Sequence, residues 1–244
     1  MMSTPFDKQP FNPFNTVTGS NRSFATRPGR IPLSQDRLRR MHPEIYQVKP
    51  WMSGREERFQ RDEEFKIHVA EHLRYGLAEA AIVMLTDPLL IACYTEEIDA
   101  MAVLFFVDGT EPHPIYGKYY PDGLATELIQ RHGLQKGSHL LSVNTFASLQ
   151  ENGGYEPDLR PGPKARGVWG NFAPYIADFL TSDLRTVEER KGEVEAWEWS
   201  RCQELAQEYW SHVVGEQIRP RDGRLMTCLI GDKQQWLPGH EPIQ

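Results

Sequence analysis

His68, Glu71 and His72 are the residues of this chain with the clearest spacing for metal chemistry, in the stretch His-Val-Ala-Glu-His. Residues four positions apart on an α-helix share a face, so the two imidazoles could bind one zinc ion. Glu71 would lie close enough to a water molecule on that metal to act as its general base. The pattern predicts a zinc site on a helix, with Glu71 as the catalytic residue of a metal-dependent hydrolase.

The His-x-x-Glu-His order resembles the short zinc motif of the inverzincin metallopeptidases. The resemblance covers these five residues of the 244. It implies a third ligand, a glutamate well downstream, and Glu151 is the carboxylate nearest to that position. The alternative is a helix face exposed to solvent, because charged side chains crowd this stretch. We favour this alternative, which requires no cofactor and leaves enzymatic activity an open question.

Two further groups of polar residues have simpler explanations than chemistry. Glu204, Glu208 and His212 follow one another at helical spacing, which is more typical of a solvated stripe than of a metal site. The loop 160–167 carries cations that could bind an anion, and we interpret it as a surface loop; these cations are Arg160, Lys164 and Arg166. The glycine-rich nucleotide-binding patterns and the GxSxG elbow are missing from the sequence.

The three cysteines, Cys93, Cys202 and Cys228, are far apart and form no CxxC pair. This spacing predicts neither a disulfide framework nor a thiolate zinc site. Each cysteine lies in an apolar or helical stretch, so we expect burial rather than reactivity.

Charge is distributed unevenly along the chain. Residues 1–55 hold nine Lys/Arg and three Asp/Glu, which gives this part a net charge of +6. Because the whole chain has a net charge of −7, residues 56–244 have a net charge of −13. An acidic body repels phosphates and is a poor nucleic-acid binder. A nucleic-acid accessory role could therefore rest only on the basic segment, for example on Arg27-Pro-Gly-Arg30.

Residues 1–55 are rich in proline, glycine and polar residues, which predicts an extended arm. Pro-Phe occurs three times in it, ending at Phe6, Phe11 and Phe14. In a polyproline II conformation Phe11 and Phe14 would project from the same side, as in a short docking peptide. The alternative is a tail whose rings fold back onto the protein's own body.

The leading hypothesis is a non-enzymatic protein-interaction or structural subunit, docked through this arm onto a larger partner or a second copy. Tryptophans on the outer side of the last long helix would add to the contact surface. The candidate partner-binding residues are Phe6, Phe11, Phe14, Arg27, Arg30, Trp199 and Trp210.

Periodicity predicts helices over 34–41, 56–79, 124–132, 174–180 and 186–215. Three apolar runs joined by short turns, 80–85, 89–95 and 100–107, predict an antiparallel meander, with further strands at 138–146 and 224–230. Because these runs are almost continuously apolar, both faces of the sheet should be covered.

The sequence thus predicts an α+β fold with an antiparallel sheet packed against helices. We expect an extended arm (1–55), one domain (56–230) and a polar tail (231–244). No signal peptide or membrane span is apparent, so we expect a soluble, cytoplasmic protein.

Overall fold

The computed structural model describes residues 25–108, 121–213 and 220–224. Its helices are, in chain order, α1 (Gln35–Met41), a 3-10 helix (Pro43–Tyr46), α2 (Glu56–Tyr75), α3 (Leu124–His132), α4 (Leu149–Asn152), α5 (Ala177–Leu180), α6 (Leu184–Lys191) and α7 (Ala196–Val213). Its strands are β1 (Leu77–Thr86), β2 (Leu89–Thr95), β3 (Ala100–Phe106), β4 (His139–Ser148), β5 (Trp169–Ile176) and β6 (Arg221–Asp222). No helix of the described ranges has the length and apolar character needed to cross a membrane.

The strands form one six-stranded sheet in the order β5-β4-β1-β2-β3-β6. The predicted meander is confirmed, because β1, β2 and β3 are antiparallel neighbours. The prediction of an antiparallel sheet is wrong at one edge, where β6 pairs with β3 in parallel. A long connection separates these two strands, so no tight turn forces them to run in opposite directions.

The sheet curls, and its two edges approach each other. Arg221 of β6 joins them, because its Nη1 donates to the carbonyl oxygen of Phe172 in β5 at 2.5 Å. Helix α7 packs on β1, β2 and β3, while α2 contacts β4. All seven residues of β2 are buried, as the continuous apolar run predicted for a strand covered on both sides.

The body of the protein extends further toward the N-terminus than residue 56. Five apolar side chains of the segment 25–48 are at most 3% exposed and lie in or beside the core; they are Ile31, Leu38, Met41, Ile45 and Val48. The backbone N–H of Gly29 donates to the carbonyl oxygen of Gly76 at 2.8 Å, and that of Ile31 donates to the carbonyl oxygen of Leu73 at 3.1 Å. Of the extended arm expected over 1–55, residues 25–48 are therefore packed against the body, residues 50–55 are exposed, and residues 1–24 lie outside the described part.

Several predicted elements differ from the structure in their bounds. Of the helix predicted over 174–180, residues 174–176 are the end of strand β5 and only Ala177–Leu180 is helical. Pro174 is tolerated in β5 because β5 is an edge strand. The single helix predicted over 186–215 is two helices, α6 and α7, separated around Gly192. The strand predicted over 224–230 lies outside the described residues except for Arg224, as does the tail 231–244.

Candidate functional site

His72 is fully buried and links α2 to β4. Its Nε2 lies 2.8 Å from the carbonyl oxygen of Val143 and therefore donates to it. Its Nδ1 then accepts from the hydroxyl of Thr145, at 3.3 Å. Burial, with a smaller effect of neighbouring His68, lowers the pKa of His72 to about 3. A metal ion on this imidazole would displace a hydrogen bond and leave a buried group unpaired, which does not favour the zinc hypothesis.

The two other residues of the predicted metal motif do not complete a site around His72. The Nε2 of His68 is enclosed without a hydrogen bond, and burial lowers the pKa of this imidazole to about 4. Glu71 is half-buried on the same helix. Within the described residues, no three His, Cys, Asp or Glu side chains are grouped to hold a metal ion. The side chain of Glu151 lies outside the described part, so its predicted role as third ligand stays a prediction.

We expect His72→Ala to lower the free energy of unfolding by about 2–4 kcal/mol, because it opens a cavity and leaves the Val143 carbonyl unpaired. His68→Ala should cost less, since His68 is only half-buried and its Nε2 makes no hydrogen bond. Urea denaturation of both variants, with and without zinc, measures the effect. One zinc per chain, lost equally in both variants, would contradict this assignment.

Arg27 and Arg30 differ in what surrounds them. The guanidinium of Arg27 forms a bidentate ion pair with Glu198 in the first turn of α7, with Nη2 at 2.5 Å from Oε2. Arg30 is exposed and has a positive φ of 54°. Arg27 is thus engaged within the protein, which weakens the hypothesis that Arg27-Pro-Gly-Arg30 enters a minor groove.

Trp199 is half-buried and stacks on His139, with ring centroids 4.2 Å apart and planes 2° from parallel. Trp197, two positions earlier, is 37% exposed, and the ammonium group of Lys164 lies 4.5 Å from its ring centroid. The side chain of Trp210 lies outside the described part. Aromatic surface therefore surrounds the start of α7, beside the Arg27–Glu198 pair.

The cationic loop 160–167 packs against the turn between β2 and β3. Asp99 in this turn has a positive φ of 48° and accepts from the Tyr94 hydroxyl, the Arg201 Nε and the Lys164 backbone N–H, at 3.1, 3.2 and 3.3 Å. A Cβ at Gly162 would lie 2.1 Å from an Asp99 carboxylate oxygen, so only glycine permits this approach. Arg166 pairs with Glu97 at 3.0 Å. The loop binds the protein's own groups, which does not favour an anion site.

A cavity of about 210 Å³ lies between α7, β3 and this loop. Charged groups surround an apolar floor; the lining includes Asp99, Met101, Val103, Asp158, Arg160, Arg201, Leu205, Glu208 and Tyr209. Ligand pockets usually measure about 300–1,000 Å³. Arg201 is already paired with Asp99 and Glu204. We therefore do not assign a function to this cavity.

Glu79 is a buried carboxylate that the sequence analysis missed. One of its oxygens accepts from the backbone N–H of Glu96 and the hydroxyl of Thr95, at 2.8 and 3.2 Å. The other accepts from the amide nitrogen of Asn144 at 2.5 Å. Burial raises the pKa of Glu79 to about 8, although these hydrogen bonds oppose the rise. Glu79 directly precedes the apolar run 80–85, and this position was the signal in the sequence that its carboxyl group could be buried.

Burial of two cysteines is confirmed, since Cys93 and Cys202 are both buried and free. Burial raises the pKa of both thiols, so neither is primed as a nucleophile. Cys228 lies outside the described residues.

The polar side chains of His72, Glu79 and Asp99 are thus hydrogen-bonded within the protein. A comparison of the chain with protein-family models, with curated proteins and with solved structures finds no match in any of the three.

Proposed function

We propose that this protein is a non-enzymatic interaction subunit that binds a larger protein partner through residues 1–24. The observation that carries the proposal is the fixed point at which this segment joins the body. Three successive residues, Gly29, Arg30 and Ile31, donate backbone hydrogen bonds to the end of α2, and Arg27 pairs with Glu198. The residues that directly follow the segment are thus bound to the body of the protein.

The sequence of residues 1–24 supports a docking role. Pro-Phe dipeptides place Phe6, Phe11 and Phe14 in a context that favours polyproline II, a conformation recognised by aromatic-lined grooves. Fully extended, 24 residues reach at most about 80 Å, which is enough to cross the surface of another domain. An arm of this kind binds at moderate affinity over a wide area, because its ordering opposes binding.

The surface around the base of this segment also supports the proposal. Trp197 and Trp199 flank Glu198, the residue to which Arg27 is bound. Tryptophan and arginine are the residues that most often dominate binding energy at interfaces. The partner would therefore contact both the docking segment and the first turn of α7.

The experiment places a photo-crosslinking amino acid at Phe11 of the full chain expressed in its native host. We expect an adduct with a second protein, reduced at least severalfold when Phe14 is changed to alanine, because the two rings would enter neighbouring pockets. The matched control keeps the crosslinker at Phe11 and changes Asn15 instead of Phe14 to alanine, which should leave the adduct yield unchanged. Adducts formed only within the chain would contradict the proposal and support the alternative of a tail that folds back onto the body.

A further inference from the structure

Residues 220–224 form a short segment that lies between β3 and β5, where the curled sheet brings its ends together. Arg221 and Asp222 pair with Leu104 and Phe105 of β3, and the N–H of Gly223 donates to the Phe105 carbonyl at 2.9 Å. A Cβ at Gly223 would come within 2.3 Å of the Phe106 ring, so the chain passes directly over that ring. This two-residue strand provides few backbone hydrogen bonds to hold the segment in place.

The first anchor of the segment is the side chain of Arg221, which is 1% exposed. Its Nε and Nη2 donate to the two carboxylate oxygens of Asp158 at 2.5 and 2.7 Å. Nη1 donates to the Phe172 carbonyl at 2.5 Å, and Nη2 also reaches the amide oxygen of Asn171 at 3.0 Å. The guanidinium lies 5.6 Å from the Phe172 ring centroid. This pocket matches the planar fork of a guanidinium group.

The second anchor is Arg224, three residues later and also 1% exposed. Its Nη2 donates to Glu44 at 2.5 Å, and Glu44 is held from the other side by Nδ1 of His42 at 3.3 Å. Burial raises the pKa of Glu44, but the His42 hydrogen bond and the charge of Arg224 outweigh it and hold the pKa at about 2. With Arg224 bound, the carboxylate of the second pocket is therefore ionised at neutral pH.

Both pockets belong to the body rather than to the segment. Asp158, Asn171 and Phe172 come from β5 and the loop before it, while Glu44 and His42 come from the 3-10 helix and its N-cap. A buried ion pair adds little net stability because both charges lose their hydration, yet an empty pocket leaves a buried carboxylate unpaired. The cleft is thus complementary to an occupant with two guanidinium groups, and release of that occupant requires water to reach the Asp158 and Glu44 carboxylates.

We infer that the cleft between β3 and β5 is a binding groove for extended segments of the pattern Arg-x-x-Arg, and that residues 220–224 occupy it as a detachable intrachain ligand. The recognised chemistry is two guanidinium groups separated by two residues, with a glycine before the second arginine where the chain crosses Phe106. This inference does not depend on the proposed function of residues 1–24.

The test uses the full chain carrying Arg221→Ala and Arg224→Ala, and a fluorescent peptide of residues 218–227 as the probe. We expect saturable one-to-one binding to this variant in anisotropy titrations at physiological salt. The wild-type protein should bind about tenfold more weakly, because its groove is occupied. A peptide with lysine at both arginine positions should also bind about tenfold more weakly, since an ammonium group cannot form the bidentate contact that Arg221 makes with Asp158.

A matched control adds Asp158→Asn to the double variant, and it should reduce binding of the arginine peptide. Equal binding of the arginine and lysine peptides, or equal binding to the wild type and the double variant, would overturn the inference.

Hydrogen exchange on the wild-type protein keeps the inference testable if the variant does not fold. A detachable segment requires that the Gly223 amide exchange by a local opening, at least tenfold faster than the amides of β2. Exchange of Gly223 at the same rate as β2 would show that the segment opens only with the whole protein, and the inference would be wrong.

Discussion

Deletion of residues 2–50 should unfold the protein, whereas deletion of residues 2–24 should leave it folded. The longer deletion removes Ile31, Leu38, Met41, Ile45 and Val48 from their buried positions. Burial of an aliphatic side chain contributes about 1.5–3 kcal/mol, so these five contribute about 7–15 kcal/mol together. That loss is as large as the whole free energy of unfolding of most domains, which is about 5–15 kcal/mol. The shorter deletion ends before the first described contact of the segment.

Circular dichroism and thermal melts of the two deletion variants measure this difference. The matched control replaces residues 2–24 with a scrambled sequence of equal length and composition, and its melting temperature should equal that of the wild type. A cooperative melt for the 2–50 deletion would contradict the burial argument. Unfolding of the 2–24 deletion would mean that these residues contribute to the core, and it would remove the basis for the docking proposal.

Glu79 should make the protein lose stability as the pH rises from about 4.5 to about 8. Its pKa is raised from 4.5 to about 8 in the fold. Between these values the unfolded chain has released a proton that the folded protein still holds, so rising pH favours the unfolded state. The contribution is fully present below pH 4.5 and is lost as the pH passes through about 8. The slope is at most about 1.4 kcal/mol per pH unit.

The comparison that isolates this effect is wild type against Glu79→Gln, by urea denaturation between pH 5 and pH 8. Glutamine does not titrate, so the variant should be less stable at pH 5 but should lose less stability toward pH 8. Other buried carboxyls, such as Asp178, are present in both proteins and cancel in the difference. Parallel stability curves would show that Glu79 is ionised throughout, held by its three hydrogen-bond donors.

The sequence predicted a helix or turn well where its structure depends mainly on residues close to it in the chain. Helix α1 lies within its predicted range of 34–41, and Ser34 caps it, because its side chain accepts from the N–H of Arg37. Helix α3 matches its predicted range and ends at Gly133 in the left-handed conformation. The meander was predictable because short polar turns separate apolar runs, and such turns force antiparallel pairing.

Long-range contacts decided the features that the sequence analysis missed. Residues 25–48 have the composition of an extended arm, yet a few well-spaced apolar side chains fit grooves that the body provides. Strand β5 contains Gly170 and Pro174, which argue against a strand in isolation, but the edge of the sheet tolerates both. Beside the parallel strand β6, Arg221 and Arg224 contact residues that are far away in the chain, Asp158, Phe172 and Glu44.

The candidate site shows the same division. The sequence alone determined that His68 and His72 share a helix face, since helix formers surround them and their spacing is four residues. Only the tertiary structure decided that the nitrogens of His72 are engaged with β4, and that Glu79 and Arg221 are buried. The reason is physical: a helical face is set by neighbours within four residues, whereas the partner of a buried polar group is set by chain segments that meet only after folding.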